Sequence, residues 1–278
     1  MKNMQKMNFR SYFYDRIKNK AFTAVITVYL MLCLSSAMYW IIDFQTRNLL
    51  MSLAFVLFIP LMLIVEYTIN IRFGELFEAA ILFLAFGSIL GSCFNLYTTL
   101  PFLDTLLHGI SGIIFGCFGF ALAEIFFGKA LSPRRFWGSL IFAICFSLAI
   151  AVLWEIFEYT CTSFFGLDMM EDAYVSDIRS YLLAGSHTEV VELDGIIKTI
   201  IHYGNGQTYI IDGYLDLGLI DTMTDMIICT VGAAAFAGIA LLGYFKYPKI
   251  NKILIPQIID KTCDSKCNCG LGKELEKI

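Results

Sequence analysis

The sequence predicts an all-α polytopic membrane protein: six transmembrane helices, both termini cytoplasmic, and a small extracytoplasmic β-meander between the fifth and sixth helices. Three observations lead there. Of 278 residues, 58% are apolar and 16% charged, where soluble domains average roughly 45–50% and about 25%; the mean hydropathy is +0.70. The apolar residues gather into stretches of about 20, the length that roughly 30 Å of hydrocarbon demands at 1.5 Å rise per residue. The basic residues gather at the chain ends and in alternate short connections. This composition excludes a disordered chain, a nucleic-acid binder with a basic surface and almost any ordinary soluble enzyme, and it makes the lipid bilayer the first expected partner.

Taken in order, the spans cover approximately 21–42, 49–67, 77–96, 104–127, 136–159 and 219–245. The segment 1–20 carries Lys2, Lys6, Arg10, Arg16, Lys18 and Lys20. Its length, the long apolar stretch behind it and the lack of a small-x-small site argue against a cleaved signal peptide. Pro60 predicts a kink in the second span. The connection after the fourth span holds Lys129, Arg134 and Arg135, and the tail 246–278 adds seven lysines. An N-in orientation places these and Arg72 inside, leaving only Arg47, Arg179 and Lys198 outside, as the positive-inside rule requires. The chain therefore divides into a basic cytoplasmic segment (1–20), a six-span membrane domain (21–245) and a cytoplasmic Lys/Cys tail (246–278), with no room for a separate soluble catalytic domain. The localisation expected is a bacterial cytoplasmic (inner) membrane.

The one long connection, 161–218, faces outward. Glu189 to Leu193, Ile196 to Tyr203 and Gln207 to Ile211 are rich in β-branched and aromatic residues, and Asp194-Gly195 and Gly204-Asn205-Gly206 between them are hairpin signals. These predict the meander.

Ionisable residues stand at the ends of three spans, where a charge near hydrocarbon costs several kcal/mol unless compensated. The fourth span opens with Asp104 and His108, the fifth closes with Glu155 and Glu158, and the sixth opens with Asp221 and Asp225. Spacings of three or four residues put each pair on one helix face, and the topology places all six near the outer surface. Gly112, Gly116 and Gly119 continue the first pair's face, Ala143, Ser147 and Ala151 lead to Glu155, and Gly232 and Ala235 continue from Asp221 and Asp225. Small residues at these spacings let membrane helices approach closely, so a tight cluster of the last three spans with an acidic outer pocket is expected.

Bland accounts exist for part of this set. Asp104 and Asp221 suit N-capping, where free N–H groups and the macrodipole favour a carboxylate. Glu155 and Glu158 stand at a helix C-terminus, where the dipole disfavours them; they reach solvated headgroups, hold protons, or bind a metal ion. Asp104, His108, Glu155, Glu158, Asp221 and Asp225 are the candidate ligands of a divalent ion of the hard, oxygen-preferring kind, with His108, Glu155 and Asp225 the candidate catalytic groups for work on an envelope or lipid substrate. The alternatives are proton- or cation-coupled transport and a structural or partner-binding role using the outer meander. Glu66, Glu75, Glu78 and Glu124 fall near cytoplasmic ends, where solvation or snorkelling accounts for them.

Of nine cysteines, Cys33, Cys93, Cys117, Cys145, Cys161 and Cys229 lie in or beside spans and read as small hydrophobes. Cys263, Cys267 and Cys269 form a Cys-x3-Cys-x-Cys group in the polar tail, a candidate for soft-metal binding or oxidation.

Asp104-x3-His108-Gly, Trp154-Glu155-x2-Glu158 and Gly218-Leu-Ile-Asp221-Thr-Met-x-Asp225, followed by Gly232-Ala233, resemble the YjdF-like bacterial membrane-spanning proteins over roughly residues 75–245. The resemblance implies a bacterial inner-membrane protein and supplies motif positions rather than a reaction. A fainter likeness to the VanZ-like envelope proteins implies envelope-related work, with Cys229 standing where an Asn is usual there and Glu158 where a Gln is usual.

Overall fold

The structure, a computed structural model, describes residues 4–6, 8–100, 102–259 and 262–264. Six helical stretches are long and apolar enough to cross a membrane: Lys20–Ile42, Thr46–Ile69, Glu75–Cys93, Phe102–Phe127, Pro133–Phe165 and Leu219–Phe245. Each expected span falls on one of them, the third ending at Cys93 rather than at residue 96.

The chain opens with strand β1 (Met4–Lys6) and the short helix α1 (Phe9–Lys18), then enters α2 (Lys20–Ile42). Asn19 makes the corner. Its backbone N–H closes α1 onto Arg16, and its side-chain oxygen accepts from the N–H groups of Ala21 and Phe22 at 2.9 and 3.2 Å, capping α2. The second span is two helices, α3 (Thr46–Phe55) and α4 (Phe58–Ile69). Pro60, third residue of α4, has no N–H to offer Val56 and its ring crowds that carbonyl. The ladder breaks just ahead of it, and the N–H groups of Val56 and Leu57 turn back only three residues, to Leu53 and Ala54.

Strand β2 (Ile71–Arg72) links to α5 (Glu75–Cys93), followed by the single turn α6 (Leu96–Thr99) and then α7 (Phe102–Phe127) and α8 (Pro133–Phe165). The insertion contributes β3 (Ala173–Val175), β4 (Ile178–Ser180), α9 (Tyr181–Ala184), β5 (Val191–Leu193), β6 (Lys198–Tyr203), β7 (Gln207–Asp212) and β8 (Tyr214–Asp216). Helix α10 (Leu219–Phe245) is the last span, and α11 (Pro248–Leu254), β9 (Gln257–Ile258) and β10 (Thr262–Asp264) follow it. The chain forms two compact units, Met1–Leu148 with Cys229–Ile278, and Ala149–Ile228.

The first unit holds the main apolar core, in which Phe22, Leu63, Ile71, Ile89, Phe120, Phe136 and Phe236 are almost wholly buried. Phe136 stacks on Tyr244 with ring centres 4.1 Å apart. Two antiparallel pairings stitch its chain ends: β1 pairs with β10, and β2 pairs with β9. The segment ahead of the first span, the link between the second and third, and the segment after the sixth therefore lie together. Cys267 and Cys269 of the expected tail site lie outside the described residues, and Cys263 enters only through its backbone register opposite Gln5.

At this end the structure corrects one expectation. Glu66 and Glu78 are neither solvated nor snorkelling; both are fully buried around Arg16, itself 1% exposed. Arg16 Nε lies 3.1 Å from Glu66 Oε2, and its Nη2 pairs with Glu78. The Tyr12 hydroxyl donates to Glu66 Oε2 at 2.9 Å and the Phe73 N–H to Glu66 Oε1 at 2.7 Å, while the Phe22 ring lies 3.9 Å beneath the guanidinium. Burial, with the Glu66 charge behind it, pushes the Tyr12 phenol well up, so it stays a donor. Burial likewise draws the Arg16 guanidinium down, and Glu66 opposes this. Glu78 also sits in the first turn of α5, where the helix dipole favours a carboxylate. Glu75 is held by Asn19 Nδ2 at 2.9 Å, and Glu124 accepts from the Ala130 N–H at 2.9 Å.

In the second unit the Gly204–Gly206 turn closes the β6–β7 hairpin, with Ile200 opposite Ile210 and Ile201 opposite Tyr209. Both glycines take positive φ, 51° and 78°, the conformations such turns need. A continuous meander is not what forms. Strand β5 pairs with β4 instead of β6, and β3 pairs with β8. The β4–β5 pairing sets Arg179 within 3.3–3.7 Å of carboxylate oxygens of Asp177, Glu192 and Asp194.

Removing one partner from a buried charge cluster strands the others. Arg16→Ala is expected to destabilise the detergent-solubilised protein by about 3–5 kcal/mol, read as a lowered thermal midpoint. An unchanged midpoint would show that the cluster does not hold α1 to the spans.

Candidate functional site

Helix α7 carries Asp104 and His108 one turn apart, and the structure puts their side chains on one face: His108 Nε2 lies 3.7 Å from Asp104 Oδ1. The two side chains are 11% and 19% exposed. The same turn of α7 meets α10. Cys229, 3% exposed, lies with Sγ 3.3 Å from the His108 carbonyl oxygen, 3.8 Å from His108 Nδ1 and 3.4 Å from Ser111 Oγ. Ser111 donates its own hydroxyl to the His108 carbonyl at 2.8 Å. One imidazole thus has a carboxylate on its Nε2 side and a thiol on its Nδ1 side.

Glycines make this approach possible. A Cβ built on Gly112 would fall on the carbonyl of Cys229, and one on Gly232 would fall on the carbonyl of Gly109. Farther along α7, Gly116 receives the Phe236 ring and Gly119 faces Ala143 and Phe146 of α8. Ser147 of α8 donates to the Gly112 carbonyl at 3.0 Å. In the first unit, therefore, α7, α8 and α10 pack as closely as the small-residue pattern predicts.

The remaining expected site residues belong to the second unit. Glu155 and Glu158, near the end of α8, are each 7% exposed, which argues against the solvated-headgroup account. Glu158 accepts from the indole Nε1 of Trp154 at 2.8 Å. Asp221 is the third residue of α10 rather than its cap, and its Oδ2 accepts the Glu171 N–H at 3.0 Å. The helix start is served by Asp216, whose Oδ2 accepts the Ile220 N–H at 2.8 Å. Asp225 is 2% exposed. It stands four residues ahead of Cys229 on the same helix, a spacing that puts the two on one face.

Cys229 and Ser111 are the residues that reading by sequence missed. Cys229 read as one more small hydrophobe in a span. The signal that could have found it is the four-residue ladder Asp221, Asp225, Cys229, which extends the acidic face of α10 by one turn.

The fold and the polar contacts define a multi-span helical membrane protein with ionisable side chains held inside the bundle. The family model described as "Predicted membrane protein (DUF2238)" matches residues 23–246, and the chain belongs to that family. No curated protein and no solved structure matches it.

Because Gly232 meets backbone and Gly238 has nothing within 4 Å of its built Cβ, the two make a matched pair. Gly232→Ala is expected to cost about 1–3 kcal/mol through overpacking, and Gly238→Ala to be neutral within error. Thermal unfolding of both variants in detergent checks this, and equal midpoints would contradict the close contact.

Proposed function

We propose that Asp104, His108 and Asp225 hold a divalent metal ion, and that the protein uses it on an envelope or lipid substrate. The observation that carries the reading is the separation of His108 Nε2 from Asp104 Oδ1. At 3.7 Å it is too long for a hydrogen bond. It is close to the chord of about 3.4 Å that two ligand atoms span across a tetrahedral ion with bonds of about 2.1 Å. Asp225 would supply the third ligand from one turn ahead of Cys229, which touches the same imidazole. Glu155, Glu158 and Asp221 are further candidates for completing the shell, although Glu158 and Asp221 already serve Trp154 and Glu171.

Two carboxylates and one imidazole suit a catalytic ion that keeps an open position. Such an ion would polarise a phosphoryl or acyl oxygen and lower the pKa of a bound water, and His108, Glu155 and Asp225 are the groups proposed to work beside it. The transport alternative needs a polar route along the spans. Among the described residues of the first unit, the most deeply buried polar side chains other than the Arg16 cluster are serines, Ser36, Ser52, Ser139 and Ser147, so no file of buried carboxylates or cations continues along the spans there. This favours the metal reading.

The likeness to YjdF-like proteins and, more faintly, to VanZ-like proteins supports placement in a bacterial inner membrane. The positive-inside pattern supports cytoplasmic termini. In that orientation Asp104 and His108 open toward the outer leaflet, where lipid-linked headgroups are the natural substrates.

Elemental analysis of the full-length protein tests the ion, with Cys263, Cys267 and Cys269 changed to Ser so that the tail cannot bind metal. About one equivalent of a divalent ion is expected, lost in Asp104→Asn/Asp225→Asn. Metal-free wild-type protein after purification without chelator would overturn the reading. For orientation, a C-terminal fluorescent-protein fusion is expected to fluoresce, and alkaline phosphatase inserted after Ser186 to be active. The opposite pair of results would reverse the topology.

A further inference from the structure

Helix α1 is held along the end of the bundle, at the depth where spans begin and end. Its last turn reaches Glu66 and Glu78 through Arg16, near the end of α4 and the start of α5. Its first turn rests on that same end of α4: the rings of Phe9 and Tyr67 meet edge to face with centres 5.2 Å apart. Both ends of a helix about 15 Å long are thus fixed at one level, and a single residue, Asn19, separates it from the first span.

At about 100° per residue the residues of α1 divide into three sectors. Tyr12 and Arg16 are buried and face α4 and α5. Beside them run Phe13, Ile17 and Tyr14, 39%, 40% and 48% exposed. Arg10 shares that strip, its guanidinium 5.7 Å from the centre of the Tyr14 ring. Ser11, Asp15 and Lys18 complete the turn. Asp15, the one acid of α1, pairs with Arg72 at 2.6 Å, whereas Arg10, Lys18 and the adjoining Lys20 are exposed. An apolar strip bordered by cations suits a helix lying in the membrane interface. Its rings and aliphatic chains enter between the headgroups, and its long basic side chains reach back to the phosphates.

We propose that α1 is a lipid-binding helix: Phe13, Tyr14 and Ile17 are seated in the leaflet at that end of the bundle, and Arg10, Lys18 and Lys20 select anionic phospholipid headgroups. The proposal goes beyond the metal reading and does not rest on it. A protein partner fits the strip less well. Three side chains on so short a helix cover far less than the roughly 800 Å² that each side of a stable protein contact buries, while lipid is already present at that depth. The buried Arg16 cluster supplies the other half of the arrangement, because it fixes which face of α1 turns outward. In the orientation proposed above, the leaflet is the cytoplasmic one.

The test places the photo-reactive residue p-benzoylphenylalanine at Phe13, or at Ser11 of the opposite sector, in the full chain. Each protein is set in nanodiscs of mixed phosphatidylcholine and phosphatidylglycerol, and the cross-linked products are identified by mass spectrometry. Lipid adducts are expected from position 13 and not from position 11, with phosphatidylglycerol enriched over its share of the bilayer. Arg10→Gln/Lys18→Gln/Lys20→Gln is expected to lower that enrichment about fivefold or more, fivefold being the factor for one basic residue near an anionic surface. Added salt is expected to lower it in the protein that keeps all three cations, a readout that does not depend on the variant folding. Cross-links from position 13 to a second copy, or to another segment of the same chain, in place of lipid overturn the proposal, as does equal lipid labelling from positions 11 and 13. Phosphatidylglycerol enrichment that is absent, or that is unmoved by both the triple substitution and salt, overturns the headgroup selection.

Discussion

Backbone contact between α7 and α10, at Gly112 and Gly232, governs where the polar groups of these two helices land. Each glycine lies where a methyl group would collide with a carbonyl of the facing helix. Lipid tails are as apolar as leucine, so burial does not drive two spans together; close packing and interhelical hydrogen bonds must do it. Glycine permits the packing, and the polar residues beside it supply the bonds. Cys229 stands three residues ahead of Gly232, and His108 four ahead of Gly112. The imidazole, the thiol and the Ser111 hydroxyl are thus brought together by the contact that the glycines allow. Ser147 adds α8 to the same point through the Gly112 carbonyl.

A second constraint works at the end of the bundle where the chain termini are paired. Arg16 arrives on a helix outside the spans and is buried between two of them, against Glu66 of α4 and Glu78 of α5. One guanidinium faces two carboxylates, and the deficit is shared by neutral donors: the Tyr12 hydroxyl, the Phe73 N–H and the first turn of α5. A buried charge without such partners would be strongly unfavourable. The basic N-terminal segment therefore has a packing role. It ties α1 to the second and third spans, as β1 and β2 tie the C-terminal segment to the same end.

The spans were legible because apolar length is a one-dimensional signal, and Pro60 was legible because a missing N–H breaks any helical ladder. Close packing of α7, α8 and α10 was legible for the same kind of reason: Gly112, Gly116, Gly119 and Gly232 recur at helical spacing. Burial of Glu66 and Glu78 was not. A glutamate near a span end looks identical whether water or Arg16 lies beyond it, and Arg16 precedes Glu66 by 50 residues and Glu78 by 62 in the chain. The insertion is legible only in part. The Gly204–Gly206 hairpin is local and was found, but β4 and β5 join across α9, and three-residue strands such as β3 and β8 carry too few side chains to show an alternating pattern. Cys229 is harder to read: the ladder Asp221, Asp225, Cys229 puts it on the acidic face of α10, but its partner is a histidine 121 residues earlier in the chain.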